Sequence, residues 1–177
     1  MKKDTGLVHI YYGGGKGKTT AGMGLCLRAA GYGYKVLIYQ FMKSNQSSER
    51  AILEKISNIT MVSGLEEEKF SIQMTTGEKE LRKNYYAEQF AKITKRAIAE
   101  NYDVVYLDEI IYTIQAGLLE EDILRNFLEH KPAKLEVILT GNTPSETIIS
   151  LADYVTEIRK VKHPYDTGQP ARLGIEK

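Results

Sequence analysis

The clearest chemistry in this sequence lies in a glycine-rich loop followed by lysine and threonine. Residues 11–20 read Y-Y-G-G-G-K-G-K-T-T. The apolar segment 7–10 before the loop predicts a short buried strand. Segment 21–28 after it, rich in Ala, Leu and Met, predicts a helix. A strand, a glycine-rich turn, Gly-Lys-Thr and a helix follow one another in a phosphate-binding loop.

Each residue type in this loop has a physical role toward an anion. Glycines allow positive φ and a close approach of the backbone, and amides at a helix start favour negative charge. We expect Lys18 to reach terminal phosphates and the Thr19 hydroxyl to bind Mg²⁺. The predicted cradle for phosphate consists of Gly13, Gly14, Gly15, Lys16, Gly17, Lys18, Thr19 and Thr20.

The spacing of this loop differs from the usual pattern, G-x-x-x-x-G-K-[ST]. Tyr12 stands where the first glycine is expected, so the loop is one residue shorter, as G-x-x-x-G-K-T. One interpretation is a glycine-rich turn that binds nothing. The Gly-Lys-Thr-Thr run between strand and helix favours the other interpretation, a loop that holds a triphosphate differently from an ordinary ATPase.

Two acids follow a second apolar segment, V-V-Y-L at 104–107. In nucleotide-binding sheets a strand of this kind ends beside the phosphate loop. Asp108 and Glu109 are therefore predicted contacts for a metal ion or its water. The alternative is an acidic strand cap, which the upstream loop disfavours.

Three basic residues have two interpretations each. Lys43 follows the second predicted strand. It either contacts a phosphate or an acidic substituent of the ligand, or it is a solvated loop residue. Arg28 is either a nucleotide contact or a surface charge. His163, in K-H-P-Y, is either a general acid or base or a loop histidine, and the residues alone favour the loop histidine.

Composition restricts the class of protein. The 177 residues fit one domain, with 161–177 as an extended tail that contains Pro and Gly. With 24 basic and 23 acidic residues the net charge is +1, which gives no argument for nucleic acid or a membrane surface. The single cysteine, Cys26, excludes an intrachain disulfide and is predicted to pack in the core. No signal peptide or membrane-length apolar run is present, so we expect a cytoplasmic protein.

Apolar segments of strand length alternate with helical ones. Strands are predicted at 7–12, 35–41, 59–62, 103–107, 135–140 and 153–158. Helices are predicted at 48–56, 76–100, 119–129 and 145–151, in addition to the one after the loop. Near-continuous β-branched strands are typical of parallel sheets. The predicted fold is therefore α/β, a doubly wound, mainly parallel sheet of about six strands with helices on both faces.

Several motifs, in order from residue 8 to residue 176, resemble one family. They are the loop G-G-G-K-G-K-T-T with A-G-M-G-L-C-L-R after it, V-L-I-Y-Q-F-M-K, Y-D-V-V-Y-L-D-E-I, L-T-G-N-T-P, A-D-Y-V-T-E-I and K-V-K-H-P-Y-D-T-G-Q-P-A-R-L-G-I-E. The sequence resembles the ATP:corrinoid adenosyltransferases of the cob(I)yrinic acid a,c-diamide type. The shortened loop and the K-H-P-Y-D tail are the most specific parts of this resemblance.

The resemblance implies a reaction and its participants. Such enzymes transfer the 5′-deoxyadenosyl group of ATP to a reduced Co(I) corrinoid and release triphosphate. Because Co(I) is a strong nucleophile, no protein base is required, and the protein positions the ribose and stabilises the leaving group. The family also implies Mg²⁺, a flavodoxin- or ferredoxin-type electron donor and a homodimer.

The resemblance also assigns roles to residues. Lys18, Glu109 and Phe70 are the implied catalytic residues, and Thr19, Glu109 and Asp108 are the implied metal contacts. Arg28 and Lys43 match positions near the nucleotide and the mouth of the site. Lys162, His163 and Pro164 match the tail that closes over the site.

Three departures from the family pattern keep an alternative open. Phe70-Ser71-Ile72 stands where Phe-Thr-Trp is usual, Ile111 where Asn is common and Asn142 where Arg is common. Phe70 is nevertheless the expected wedge that displaces the lower cobalt ligand. The alternative from a different class is an ATP-binding accessory or regulatory protein without corrinoid chemistry. An ordinary ATPase or small-molecule kinase is disfavoured by the loop spacing and the tail.

Overall fold

A parallel sheet forms the centre of the computed structural model, which describes residues 5–67 and 71–176. Its six strands lie in the order β3-β2-β4-β5-β1-β6, and every neighbouring pair is parallel. The strands are β1 (Val8–Tyr12), β2 (Val36–Gln40), β3 (Ile59–Met61), β4 (Val104–Asp108), β5 (Glu136–Gly141) and β6 (Tyr154–Glu157). The predicted doubly wound parallel sheet is confirmed.

Helices connect the strands and begin and end at residues suited to those positions. They are α1 (Lys18–Tyr32), α2 (Arg50–Leu53), α3 (Thr76–Ala99), α4 (Ile110–Gln115), α5 (Glu121–His130) and α6 (Glu146–Ser150). At the start of α3, Thr75 and Glu78 form a capping box, in which each side chain accepts from the other's backbone amide. At the end of α1, Gly33 takes a left-handed conformation with φ 101°.

The core has two parts, one on each face of the sheet. On β2, Val36 and Ile38 pack in the cluster that contains Cys26 of α1, whereas Leu37 and Tyr39 pack in the cluster that contains side chains of α3 and α5. Successive residues of a strand point to opposite faces, so a fully buried run such as V-L-I-Y-Q contributes to both parts. The prediction that Cys26 packs in the core is confirmed, since its side chain is buried.

Two helices differ from their predicted form. Helix α4 was not predicted, because Ile110 and Ile111 continue the apolar run of β4 and six residues are too few to show a helical period. Helix α2 has four residues where nine were predicted. Within the ranges that the structure describes, no helix is both long and apolar enough to cross a membrane.

The parallel arrangement brings the loops after the strands to one edge of the sheet. In the register of the ladder, Gln40 at the end of β2 lies beside Asp108 at the end of β4. Likewise Tyr12 at the end of β1 lies between Gly141 of β5 and Glu157 of β6. Ligands of open α/β sheets bind outside the carboxyl ends of the strands, so we expect the functional site at this edge.

Candidate active site

The phosphate loop is held in shape by the ends of β5 and β6. The amide of Gly13 donates to the carbonyl of Asn142 at 2.9 Å, and the amide of Gly15 donates to the carbonyl of Ile158 at 2.8 Å. A Cβ atom on Gly15 would lie 2.7 Å from the Ile158 carbonyl oxygen, and one on Gly13 would lie 2.6 Å from it. These approaches are possible only without side chains, so the two glycines fix the loop against β6.

Helix α1 begins directly after the glycines of the loop, and its first residues place polar side chains at the site. Gly17 precedes the helix with φ 117°, and Lys18 is the first helical residue. The Lys18 ammonium donates to the Gly15 carbonyl at 3.0 Å. The lysine therefore folds back over the loop, on the side where an anion would meet the amides of the helix start.

Asp108 is the centre of a buried hydrogen-bond network. Its side chain is fully buried, and five side chains donate to its two oxygens. They are Tyr106 at 2.6 Å, Thr140 and Lys43 at 2.7 Å each, Thr19 at 3.1 Å and Gln40 at 3.2 Å. Burial alone raises the pKa of Asp108, but the Lys43 charge and the hydrogen bonds outweigh it and leave that pKa below its usual value. Asp108 is therefore a stable carboxylate in the interior.

The same carboxylate affects its two neighbours in the chain. Burial and then the Asp108 charge raise the pKa of the Tyr106 phenol, which stays a hydrogen-bond donor. Glu109 lies in a left-handed conformation with φ 60°, and its amide donates to the Thr140 hydroxyl at 2.8 Å. Burial, followed by the Asp108 charge, raises the pKa of Glu109 as well. A left-handed conformation at a residue other than glycine is often found at functional sites.

The donor atoms at this edge fit a magnesium ion that is bound together with phosphates. The Thr19 hydroxyl, the Asp108 carboxylate and the Glu109 carboxylate are hard oxygen ligands. In the described ranges, 5–67 and 71–176, no group of three or more His, Cys, Asp or Glu side chains is arranged to hold a metal ion. Mg²⁺ is usually bound through one or two carboxylates plus substrate phosphates, which agrees with so small a set of protein ligands.

A cleft of about 330 Å³ lies between the phosphate loop and the tail. The loop residues and Glu109 line one side, and His163, Pro164 and Gln169 contribute to the other. The Tyr165 amide donates to His163 Nδ1 at 3.1 Å. In neutral His163 the proton is consequently on Nε2, so the ring offers a hydrogen-bond donor through that nitrogen.

A second, larger cleft of about 780 Å³ adjoins the first. Thr19 and Thr20 border both clefts, as do Ile175 and Glu176 of the tail, and Lys43 and Glu49 line the second one. The Glu176 carboxylate accepts from the Arg172 guanidinium at 2.8 Å and lies 4.0 Å from the Lys16 ammonium. The tail therefore contacts the phosphate loop near its own end.

The structure brings most of the predicted site residues together. All eight loop residues except Gly13 line the first cleft with Glu109 and His163, while Asp108 and Lys43 meet at Thr19. Arg28 is different: it is exposed on α1, ten residues after Lys18, which corresponds to about 15 Å along a helix. Within one chain Arg28 does not line either cleft. Phe70 lies outside the described residues.

Two residues of the network around Asp108, Gln40 and Tyr106, were not predicted as site residues. Thr140, in the weak motif Leu139-Thr140-Gly141 that could close on the nucleotide, joins the same network. A signal for Gln40 and Thr140 exists in the sequence, since both are polar residues at the carboxyl ends of apolar strands. These strands, β2 and β5, are the two neighbours of β4, but the sequence alone does not give that order.

Comparisons with known proteins agree on one family. The family model described as "ATP:corrinoid adenosyltransferase BtuR/CobO/CobP" matches residues 4–176. A corrinoid adenosyltransferase of Escherichia coli (strain K12) is 34% identical over 179 residues, which cover 98% of this chain and 86% of that protein. One of Pseudomonas aeruginosa is 30% identical over 181 residues, with 99% and 85% covered.

A solved structure shares the fold at lower sequence identity. The KaiC-like protein PH0186 of Pyrococcus horikoshii superposes with a TM-score of 0.57 at 19% identity, over 86% of this chain and 71% of that chain. At this level of identity the likeness concerns the fold alone.

Proposed function

Because this chain belongs to the ATP:corrinoid adenosyltransferase family, we propose that the cleft between its phosphate loop and its tail binds the ATP whose adenosyl group is transferred. The protein is a transferase with ATP and a Co(I) corrinoid as substrates. The observation that supports this location is that Lys18, Thr19 and Glu109 line one cleft, with the buried Asp108 directly behind Thr19, whose hydroxyl donates to it at 3.1 Å. The family match over nearly the whole chain favours this function over the accessory protein that the sequence left as an alternative.

The reaction needs a good leaving group more than it needs a protein base. Co(I) donates an electron pair to the 5′-carbon of ATP and forms the cobalt–carbon bond. The bond from that carbon to oxygen breaks, and its electron pair leaves with the triphosphate. We assign Lys18, the amides of the helix start and the Nε2–H group of His163 to stabilising the charge on the triphosphate.

Mg²⁺ would bind next to the same phosphates. We propose the Thr19 hydroxyl, Asp108 and Glu109 as its protein contacts, because they are hard oxygen ligands. Thr19 and Glu109 line the cleft, and the buried Asp108 lies directly behind Thr19. When bound, the ion neutralises part of the negative charge on the leaving triphosphate. Asp108 suits this role since its pKa is lowered and it stays charged.

The corrinoid side of the site is proposed from the family alone. Phe70, outside the described residues, is the candidate wedge that removes the lower ligand of cobalt. Without that ligand cobalt is easier to reduce to Co(I), for which a reduced flavodoxin or ferredoxin is the proposed donor. We also propose a homodimer, in which the exposed Arg28 of one chain is free to meet the nucleotide of the other.

A transfer assay with a matched lysine variant tests the proposed location. Purified protein, ATP, Mg²⁺ and chemically reduced cobalamin are mixed without oxygen, and the adenosylated product is followed by absorbance. A contact from Lys18 to phosphate is worth about 1.5–3 kcal/mol, so Lys18→Ala should weaken ATP binding by about 10–150-fold and reduce turnover.

Lys92→Ala is the control for this variant. Lys92 is exposed on α3 and pairs with Glu88 on the same helix, so its removal should leave ATP binding and transfer unchanged. If Lys18→Ala binds ATP as tightly as Lys92→Ala by calorimetry, the phosphate loop is not the nucleotide site. If the parent protein binds ATP but transfers nothing, the chain is the accessory protein instead.

A further inference from the structure

The ammonium group of Lys43 lies between the two side chains that we propose as contacts for the metal ion. Its Nζ atom donates to Asp108 Oδ2 at 2.7 Å and to Thr19 Oγ1 at 2.8 Å. The Asp108 side chain is fully buried, whereas the Lys43 side chain keeps 27% of its surface exposed. A single cation thus touches both oxygens and enters from the solvent side.

An ammonium and a divalent ion cannot both use these oxygen atoms. The Asp108 carboxylate has about four lone-pair sites and already accepts from five side chains, Lys43 among them, so it offers a metal ion no free lone pair while Lys43 is in place. Two cations at so short a distance in a buried site would also repel each other strongly. One of the two must leave before the other can bind.

We propose that Lys43 is a built-in counterion that occupies the cation position of the nucleotide-free protein and gives way to Mg²⁺ only when ATP is present. This proposal depends on the assignment of Thr19 and Asp108 to the metal under the proposed function. ATP changes the balance because its phosphates add ligands for the metal, whereas the protein alone has too few. Mg²⁺ without nucleotide therefore competes poorly with the tethered lysine.

The neighbouring cleft offers the displaced lysine another carboxylate. Gln40 Nε2 donates both to Asp108 Oδ2 at 3.2 Å and to Glu49 Oε1 at 3.0 Å, so the two carboxylates lie on either side of one amide nitrogen. Lys43 and Glu49 line the same cleft. Among the described residues, Gln40 Oε1 is also a buried oxygen without a hydrogen-bond partner. A lysine that turns from Asp108 toward Glu49 thus finds acceptors there.

Manganese binding without nucleotide tests the counterion role directly. Mn²⁺ replaces Mg²⁺ as the probe, and free Mn²⁺ is counted by electron paramagnetic resonance. Lys43→Met keeps an unbranched side chain that is one heavy atom shorter and removes its charge. We expect Lys43→Met to bind one Mn²⁺ at least tenfold more tightly than the parent protein does in the absence of ATP. Lys92→Met, the matched surface control, should behave like the parent protein.

Two results would overturn the proposal. The first is a Lys43→Met variant that binds Mn²⁺ without ATP no more tightly than the parent protein does. The second applies if that variant does not fold alone, and it is measured by circular dichroism with and without Mn²⁺. Folding restored by Mn²⁺ supports the counterion role, and no recovery contradicts it.

Asp108→Asn separates a failure of this proposal from a failure of the metal assignment. With ATP present, Asp108→Asn should weaken Mn²⁺ binding if Asp108 is a metal contact. A weakened Asp108→Asn together with an unchanged Lys43→Met means that the metal site is correct and the counterion role is wrong. If Asp108→Asn binds Mn²⁺ and ATP like the parent protein, the metal assignment is wrong and the counterion role is lost with it.

Discussion

At the scale of single residues, two adjacent carboxylates at the end of β4 have opposite electrostatic environments. Asp108 accepts hydrogen bonds from five side chains and has a lowered pKa. Glu109 lies toward the cleft, and burial together with the Asp108 charge raises its pKa. The charged form of Glu109 is therefore destabilising in the free protein, and a cation at the cleft would relieve it. This difference predicts that the charge of Glu109, unlike that of Asp108, lowers the free energy of unfolding of the nucleotide-free protein.

Glu109→Gln tests that prediction, since glutamine keeps the shape and removes the charge. The pKa of Glu109 is raised on folding, so its destabilising effect is absent below the unfolded value of about 4.3 and develops as pH rises through the folded pKa. We expect the variant to melt about 1–3 °C higher than the parent protein at pH 7–8, while its Mg²⁺-dependent turnover falls. Scanning calorimetry from pH 4 to 8 measures the difference, and a variant that melts lower at neutral pH contradicts the interpretation.

At the scale of elements, the phosphate loop depends on strand β6 as much as on the helix that follows it. Gly15 donates to the Ile158 carbonyl, and the approach leaves no space for a side chain. Gly14, one residue earlier, is exposed and has open space around it. A side chain added at Gly15 would meet backbone atoms, whereas one added at Gly14 would meet none. The two positions are therefore a matched pair for substitution.

Gly15→Ala should lower the melting temperature, whereas Gly14→Ala should leave it nearly unchanged. The new Cβ of Gly15→Ala would lie 2.7 Å from Ile158 O and 2.8 Å from Arg159 C, so the loop or β6 must move. We expect a loss of about 1–3 kcal/mol, typical of overpacking. Chemical unfolding without nucleotide compares the two variants. Equal stabilities would mean that the loop is not fixed by β6.

Strands of this fold could be predicted from the sequence more completely than its short helices. The ends of the six predicted strands lie within two residues of the observed ends, because buried strands of parallel sheets are continuous apolar runs. Helix α4 escaped prediction because it continues such a run. The K-H-P-Y tail was a candidate from its residue types, but the contact of Glu176 with Lys16 depends on a chain reversal that no local pattern encodes.

At the scale of the whole molecule, distant segments meet at the carboxyl edge of the sheet and are also joined at the opposite edge. There Glu136 of β5 accepts from the amides of Gly6 and Leu7 at 2.6 and 2.8 Å and from His9 Nε2 at 2.6 Å. Burial raises the pKa of Glu136, but these hydrogen bonds outweigh it and lower that pKa below its usual value. The carboxylate thus ties the start of the chain to β5.

The hydrogen bonds of Glu136 predict that the stability of the protein depends on pH. Because the pKa of Glu136 is lowered on folding, its stabilising effect is complete above the unfolded pKa of about 4.3 and disappears as pH falls through the folded value. Glu136→Gln should reduce the free energy of unfolding by about 1–2 kcal/mol at pH 7, and the difference should shrink below pH 4. Glu88→Gln on the exposed face of α3 is the control. A difference that persists unchanged into acid would show that shape, not charge, explains the loss.

The network around Asp108 could not be predicted from the sequence because its members are far apart along the chain. Thr19, Lys43 and Thr140 are separated from Asp108 by 89, 65 and 32 residues, and they meet because β4 lies between β2 and β5. Strand order is a property of the folded sheet. The residue types at the strand ends indicated a phosphate and metal site, and only the fold showed that Lys43 lies between Thr19 and Asp108, the two side chains that we propose as metal contacts.

The identity of the leaving group tests the central claim most directly. Chemically reduced cobalamin, ATP and Mg²⁺ are incubated with the protein, and the phosphorus products are identified by ³¹P nuclear magnetic resonance while the adenosylated product is counted by absorbance. Attack of cobalt on the 5′-carbon predicts one inorganic triphosphate for each adenosylcobalamin, and Lys18→Ala should reduce both products in equal proportion. The appearance of ADP and orthophosphate in place of triphosphate would contradict the account, because it would place the chemistry at phosphorus.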